Sequence, residues 1–374
     1  MQPPDRILLN DFVAQWRDVR DDCSAALERV GQSGWLVLGK EVQAFEAELA
    51  ASWHLPHAVG CGNGLDAIEI CLRSLGIAQG DKVLTTPLSA FATSLAIVRA
   101  GGVPVFVDVD ASGLIDLERV ARAAAADRAI KYLVPVHLYG HAVDAEQLRD
   151  VAAATDMVVV EDCAQAVGAS SRGTPVGATG RACATSFYPT KNLGCMGDGG
   201  AVLCADAALA AEARSLRDYG QTAKYVHARL GMNSRLDELQ AALLRSAFLP
   251  RLGRYTQRRR AIASAYRAGL DNARLSVPPI PAGSDSVWHL FPVLVDGERE
   301  AFMAHLSRLG IGSGLHYPVL IPDQEALGGV PFERADALSR AQTFARAEVS
   351  LPIHPYLLDP QVERVISACN AWAP

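Results

Sequence analysis

Several features are scarce in this sequence, and each absence closes off a class of function. The eight cysteines stand singly with no Cys-x-x-Cys pair, so neither a structural zinc site nor a disulfide framework is indicated, and a reducing cytoplasm is the expected home. No apolar run approaches the roughly twenty residues of a bilayer-spanning helix, and no secretory leader is expected ahead of Ile7-Leu8-Leu9. Positive charge is not in excess. Thirty-five basic against 41 acidic side chains leave a net charge of −6, which argues against a broad nucleic-acid or anionic-membrane surface. A metal is not expected either. His137 and His141 stand four apart, but they follow a strand into a glycine loop, where hydrogen-bonded histidines are commoner than ligands.

What is present is material for a large core. The 374 residues are 50% hydrophobic and 20% charged, enough for one large domain and a smaller one. Phe12, Trp16, Val19, Cys23, Leu27 and Val30 recur at helical spacing and predict a first amphipathic helix closing near Gly31. A second helix is predicted from Glu41 to Trp53, with Val42, Phe45 and Leu49 on one face. Trp35, in the glycine-bounded loop between them, is either core or the rim of a pocket. From His57 the pattern alternates. Apolar runs at Lys82-Val83-Leu84-Thr85, Val103 to Val107, Ala129 to Val136, Met157 to Val160 and Ala182 to Tyr188 are separated by helical stretches near 64–76, 90–100, 116–126 and 144–154. Such strands imply a mostly parallel sheet covered on both faces, with ligands gathering beyond the carboxyl ends of its strands.

Three stretches carry chemistry at those ends. The first is Gly60-Cys61-Gly62-Asn63-Gly64-Leu65-Asp66-Ala67, a glycine-rich turn feeding a helix, where unpaired amides and the positive helix end make an anion site. It satisfies a loose G-x-G-x-x-A, but the next strand ends in Thr85-Thr86-Pro87 with no acid for a ribose hydroxyl, so phosphate fits better than a dinucleotide. The second is Val158-Val159-Val160-Glu161-Asp162-Cys163-Ala164-Gln165, where a strand runs straight into two carboxylates. A buried acid needs a positive partner, and Glu161 should point away from Asp162. The third is Ser186-Phe187-Tyr188-Pro189-Thr190-Lys191-Asn192-Leu193-Gly194, which holds one lysine at a turn. An amine for an aldehyde, a carboxylate for a ring nitrogen and backbone donors for a phosphate together suit pyridoxal 5′-phosphate. Phe91 is either core or a ring stacked on such a cofactor.

Further along, a helix is predicted near 205–218, and a long helix opens after Gly231-Met232-Asn233-Ser234-Arg235, with Asn233 or Ser234 as its cap. Arg254, Arg258, Arg259 and Arg260 fall on its solvated face. Val277-Pro278-Pro279-Ile280-Pro281 reads as a hinge into an α+β segment, with strands over Val287 to Val295 and Ile311 to Tyr317 around a helix at 299–309. His316-Tyr317-Pro318 puts hydrogen-bonding side chains at the domain junction, where substrate groups often sit.

Taken together the residues resemble the DegT-type nucleotide-sugar aminotransferases. The resemblance spans nearly the whole chain, through Gly39-Lys40-Glu41-Val42, Gly64-Leu65-Asp66-Ala67, Pro135-Val136-His137-Leu138-Tyr139-Gly140, Glu161-Asp162-Cys163-Ala164-Gln165, the Lys191 stretch, Asn233-Ser234-Arg235-Leu236-Asp237 and His316-Tyr317-Pro318. It implies an α/β fold of the aspartate aminotransferase-like type I: a three-layer αβα domain over residues 1–250 and a smaller C-terminal α+β domain over 251–374. It further implies that Lys191 is the catalytic Schiff-base lysine. Asp162 holds the pyridinium, Gln165 the phenolic oxygen, and Phe91 stacks on the ring. Gly64, the Leu65 amide and Ser186 bind the phosphate, joined by Asn233 from the neighbouring subunit of a homodimer with shared sites. His316 and Tyr317 line the sugar pocket, and Tyr188, His227 and Arg235 are further substrate contacts.

Two departures stand out. Leu65 replaces the threonine of many relatives, and Val319-Leu320-Ile321-Pro322 replaces a loop that often supplies a histidine. The expected reaction is transamination of a nucleotide-linked keto-deoxysugar, with dTDP as the expected nucleotide, carbon 3 as the expected position and L-glutamate as the expected donor. The alternatives are a carbon-4 sugar or cyclitol aminotransferase of the same family, a nicotinamide-dependent dehydrogenase using the Gly62 to Ala67 turn, and a non-catalytic binding or regulatory protein.

Overall fold

The computed structural model describes residues 6–373; most of the stretch ahead of Ile7, where no leader was expected, lies outside them. The alternating pattern becomes an eight-stranded sheet. Its strands are β1 (His57–Cys61), β2 (Lys82–Thr85), β3 (Val103–Phe106), β4 (Ile130–Val134), β5 (Val158–Asp162), β6 (Ala182–Ser186), β7 (Gly200–Cys204) and a short edge strand, β10 (Glu333–Arg334). The order across the sheet is β1-β7-β6-β5-β4-β2-β3-β10. Pairs from β6 to β10 run parallel, and β7 alone lies antiparallel to both neighbours.

Helices close both faces, which is why the strands could be apolar throughout. On one side α1 (Phe12–Ser33) and α2 (Lys40–Ser52) pack Val19, Val30, Phe45 and Leu49 against Phe187 and Leu203. On the other, α3 (Gly64–Ser74), α4 (Phe91–Arg99) and α7 (Ala207–Leu216) contribute Ile68, Leu72, Ile97 and Leu209 over Val134 and Val160. Helices α5 (Leu117–Ala126) and α6 (Ala145–Thr155) start on Asp116 and Asp144, whose carboxylates accept the free amides of the first turn.

Beyond α8 (Glu238–Leu243) and α9 (Leu252–Gly269), a three-stranded antiparallel sheet is built from β8 (Leu275–Ser276), β9 (Phe291–Val295) and β11 (Glu348–Leu351). It shares a separate core with α10 (Arg299–Arg308) and α12 (Asp359–Asn370), made of Phe291, Phe302, Val349 and Val365. This segment is stitched back to the large sheet. β10 pairs with β3, and Leu320, Leu338 and the Phe344 ring of α11 (Ser339–Ala347) join the layer that holds Leu133.

The structure corrects several expectations. Only Phe291–Val295 of the predicted 287–295 strand pairs as one; Val287 and Leu290 instead donate to the carbonyls of Gly140 and Tyr139. Ile311 to Tyr317 makes no strand, only single bridges from Ile311 to Ile7 and from Gly314 to Ser350, because Gly312 and Gly314 loosen the run and Pro318 follows it. The long helix starts at Glu238, not at Asn233 or Ser234. The Ser234 hydroxyl is committed elsewhere, accepting from Gly62 N at 3.0 Å and donating to Asp66 at 2.7 Å. Between α8 and α9 the chain passes through a π turn at Leu244–Phe248 and a 3-10 turn at Leu249–Arg251, where Pro250 has no N–H to give. Trp35 is 62% exposed, so it is not core. On α1, Phe12, Trp16 and Leu27 remain 46%, 43% and 58% exposed, leaving part of the apolar stripe uncovered in the protomer.

The largest correction concerns Arg259, assigned from its neighbours to a solvated face. It is buried, and its guanidinium donates to the carbonyls of Trp288, His289 and Ile353, tying α9 to the 287–290 segment and to the chain after β11. Arg259→Met keeps the stem but strands three carbonyls. It is expected to lower the unfolding free energy by about 3 kcal/mol in urea denaturation; a change within experimental error would show that water replaces the guanidinium without loss.

Candidate active site

The carboxyl end of β5 delivers two acids to opposite faces, as strand geometry requires. Glu161 turns into the protein, where its oxygens accept from Gly177 N, Thr179 N and Gly180 N and meet His137 Nε2 at 2.9 Å. His137 Nδ1 accepts from Val143 N, so Nε2 carries the proton. These bonds hold the carboxylate below its usual range against the cost of burial. The ligand atoms of His137, Glu161 and Cys163 lie within 4.8 Å of one another, yet the histidine and the acid are already engaged, in a brace for the loop before α6.

Asp162 faces the other way. It accepts from Thr93 Oγ1 at 2.9 Å and from Ala164 N at 3.1 Å. Burial pushes its pKa up, and the Ala164 amide, the Thr93 hydroxyl and the Lys191 charge only partly counter that. A buried carboxylate met by one hydroxyl and one amide still lacks a cation in contact.

Lys191 sits in the turn that follows β6. Its N–H donates to Tyr188 O at 2.8 Å, and Cys195 N closes the loop onto Phe187 O at 2.7 Å. A Cβ at Gly194 would stand 2.6 Å from Pro189 O, so only glycine lets the chain fold this tightly. Burial drives the amine down to about 8, with the Asp162 charge pulling it back up. The next residue anchors the turn: Asn192 donates to Val287 O at 3.0 Å and meets His289 Nδ1 at 3.1 Å.

The glycine-rich turn arrives beside β6. Asn63 caps α3 by accepting from Asp66 N at 2.8 Å, and Gly64 and Leu65, as the first residues of the helix, have no preceding turn to donate to. A Cβ at Gly64 would lie 2.7 Å from Ser186 Cβ, so the two elements touch with room for no side chain but the serine's own. Two free amides, a serine hydroxyl and a helix N-terminus form a cradle for a dianion.

A third side is closed by Gln165. Its Oε1 accepts from Tyr139 N at 2.8 Å and its Nε2 donates to Tyr317 OH at 2.8 Å. Tyr139 OH in turn donates to His316 O at 3.0 Å. Phe91 begins α4, partly buried, two residues from Thr93 and packed on the layer that holds Leu84. Of the remaining predicted residues, Tyr188 and Asn233 are exposed, Asn233 Oδ1 accepting from Arg235 Nη2 at 2.7 Å. His227 lies on an exposed hairpin with Nδ1 3.0 Å from Tyr219 O. Within the protomer these residues are not bonded to the Asp162–Gln165 cluster.

Comparison with known proteins matches this arrangement. Residues 17–370 fit the DegT/DnrJ/EryC1/StrS aminotransferase family. The chain belongs to this family. It is 42% identical over 370 residues to a dTDP-3-amino-3,4,6-trideoxy-α-D-glucose transaminase of Streptomyces venezuelae, covering 98% of this chain and 96% of the relative. The crystal structure of DesV from S. venezuelae superposes with a TM-score of 0.93 at 42% identity, covering 98% of both chains. NtdA of Bacillus subtilis, solved with pyridoxamine phosphate bound, superposes with a TM-score of 0.89 at 26% identity, over 98% of this chain and 85% of that one. The protein is therefore a type I pyridoxal phosphate-dependent aminotransferase, and the nicotinamide reading of the Gly62 to Ala67 turn is left without support.

The residues present fit that cofactor: a buried acid wanting a cation, a cradle wanting a dianion and a buried amine whose charge is felt at the acid. Sequence reasoning missed Thr93 and His289, which carry no motif signal, and gave no role to Asn192 inside the lysine motif, because these roles arise from contacts far along the chain. Tyr139 lay inside a motif already noted, but its role was unreadable until Gln165 was placed against it. In cofactor-free protein, labelling of Lys191 by a neutral acylating reagent, read by peptide mass spectrometry, is expected to rise with pH through a midpoint of about 8. An exposed lysine has its midpoint near about 10.4. Asp162→Asn removes the upward pull and is expected to move the midpoint lower still; a wild-type midpoint at the exposed-lysine value would contradict the burial of the amine.

Proposed function

We propose that this aminotransferase moves an amino group from L-glutamate to the keto group at carbon 3 of a dTDP-linked keto-deoxysugar, in amino-sugar biosynthesis. The carrying observation is the 42% identity, over nearly full length, to a transaminase whose named product is a dTDP-3-amino sugar. We place it in the cytoplasm on the strength of eight cysteines that are all buried and free.

When bound, pyridoxal phosphate supplies an aldehyde for the amine and a ring that draws electron density from the carbon losing its proton. The chain supplies the rest. Lys191 Nζ, lowered to about 8, is close to half-protonated in mildly alkaline solution, so it can both take a proton and return it. Asp162 would hold the ring nitrogen in its protonated form, and an ion pair there would offset the burial that raises its own pKa. Gly64 N, Leu65 N and Ser186 Oγ hold the phosphate, so the missing threonine at position 65 costs a hydroxyl while leaving the amide. Gln165 would hold the phenolic oxygen, and Phe91 would stack on the ring. His316 and Tyr317 line the sugar pocket, with Tyr188, His227 and Arg235 as outer substrate contacts. The loop after Pro318 supplies no histidine because Leu320 and Ile321 are buried in the core and Ile321 N bonds Pro87 O at 3.0 Å.

We further propose a homodimer in which Asn233 of each protomer completes the phosphate site of the other. Exposed Phe12, Trp16, Trp35, Leu36 and Val37 support it, since large apolar side chains left in water mark contact surfaces. Residues 1–250 then form the cofactor domain and 251–374 the smaller one that closes over the sugar.

Two experiments test this reading. A panel of dTDP- and UDP-linked keto sugars with glutamate, read by mass spectrometry and product NMR, is expected to yield a 3-amino product with the wild type and none with Lys191→Ala, which should remain a folded dimer. Amination at carbon 4, or of a cyclitol, would overturn the substrate assignment, and turnover by Lys191→Ala would overturn the mechanism. Mixing inactive Lys191→Ala with Asn233→Ala protomers is expected to restore activity in the heterodimers, whose sites include one with both residues intact; no recovery after confirmed subunit exchange would refute the shared site.

A further inference from the structure

Behind the sugar pocket lies a buried acid that the mechanism above does not use. Glu348 begins β11 inside the small core, 1% exposed. Its Oε2 accepts from His316 N at 2.6 Å, and its Oε1 lies 2.5 Å from Ser350 Oγ. Ser350 Oγ, also fully buried, lies 2.9 Å from His316 Nδ1. The 314–317 segment is gripped from all sides: Gly314 and Ser350 exchange both backbone hydrogen bonds, and Tyr139 OH donates to His316 O. Turning the imidazole would break its bond to Ser350, and turning the serine would break its bonds to both His316 and Glu348.

We infer that Glu348 acts through Ser350 as a positioning residue that sets which nitrogen of His316 carries the proton, and so whether the imidazole offers the sugar a donor or an acceptor. The bond directions follow from one hydroxyl having one hydrogen. With Glu348 ionised, Ser350 must donate to Oε1, so it accepts from His316 Nδ1–H and leaves Nε2 bare. With Glu348 protonated on Oε1, Ser350 accepts from the acid and donates to a bare Nδ1, so Nε2 carries the hydrogen. Passing from the second state to the first, the acid's proton moves to Ser350 Oγ, the serine's own moves to Nδ1, and the Nε2 proton departs to solvent or substrate. One proton is lost in all. The relay lets His316 deliver a proton from Nε2 without itself becoming an imidazolium.

The electrostatics agree. Burial pushes Glu348 up to about 8, with Ser350, the His316 amide and Arg299 of α10 pulling it back down. Arg299 is the charged group facing it, and Tyr139, Tyr317 and His316 are the titratable ones. His316 itself is pulled down to about 4 by burial and by the Lys191 charge, so at neutral pH it is an uncharged ring with a choice of tautomer. The acid thus titrates where the ring does not.

The functional weight of the inference rests on the reading of His316 as a sugar-pocket residue, but the tautomer coupling can be measured without substrate. In holoenzyme labelled with 15N-histidine, the two ring nitrogens of His316 are assigned by their loss in His316→Asn and followed from pH 6 to pH 10. The expected wild-type result is that Nδ1 passes from bare to protonated, and Nε2 the reverse, through a midpoint of about 8. Glu348→Gln, whose oxygen keeps the His316 N–H and so turns its NH2 donor toward Ser350, is expected to keep Nδ1 bare at every pH; Ser350→Ala is expected to abolish the step. Signals that do not change with pH in the wild type, a measurement needing no variant, would overturn the proposal, as would a step that survives in Glu348→Gln. A tautomer step without a matching limb in the pH profile of kcat would uphold the coupling and instead count against the sugar-pocket role of His316.

Discussion

The structure depends on a carboxylate kept in a place where charge is expensive. Asp162 ends a strand whose every residue from Val159 is buried, and its two hydrogen bonds come from one hydroxyl and one amide. An isolated acid so placed prefers to be neutral, as its raised pKa records. In the proposed site, the cofactor's ring nitrogen would supply the missing charge. The energetic cost of burying the acid would thereby be returned on binding, and a neutral aromatic ring would return none of it. The rest of the site is arranged around this point. Thr93 reaches it from α4, the Lys191 charge acts on it, and a glycine lets the start of α3 touch β6.

Legibility followed the range of the determining interactions. The parallel sheet, the acid pair at the end of β5, the lysine turn and the glycine-rich helix start are all local patterns, and each stood where the residues placed it. The failures are equally physical. Val287 to Leu290 has the composition of a strand, but its amides bond the Tyr139–Gly140 turn rather than a neighbouring strand. The 311–317 run has strand-like residues broken by two glycines. Ser234 looks like a helix cap and serves as a bridge between Gly62 and Asp66 instead. In the first and last of these, a partner more than a hundred residues away took the hydrogen bond that local reasoning had assigned to a neighbour.

Arg259 is the sharpest example, because charge patterning placed it in water with its neighbours. Helical spacing separates Arg258, Arg259 and Arg260 by about 100° each, so three consecutive arginines cannot share one face. Arg258 reaches the Leu357 carbonyl, Arg260 the Ser286 carbonyl, and Arg259 points inward to three more. A guanidinium presents five donors in a plane, so it can satisfy several loop carbonyls that have no strand to pair with. It does here for the 287–290 segment what a β-ladder would otherwise have done, and that segment in turn holds His289 against Asn192, the residue after Lys191.

Lys191 and the small domain are therefore coupled through polar contacts rather than through the apolar core alone. One line runs from Arg259 through His289 and Asn192 to the lysine turn. Another runs from Asp162's neighbour Gln165 through Tyr317 to the His316 segment. A third joins that segment to β11 through Glu348 and Ser350. Hydrogen bonds are directional and apolar contacts are not, so these lines fix angles that packing would leave loose. An aminotransferase must hold its amine to within a fraction of an ångström of two successive substrates of different shape. A polar frame around the lysine, with His316 held at its backbone N–H, its carbonyl and Nδ1, suits that demand.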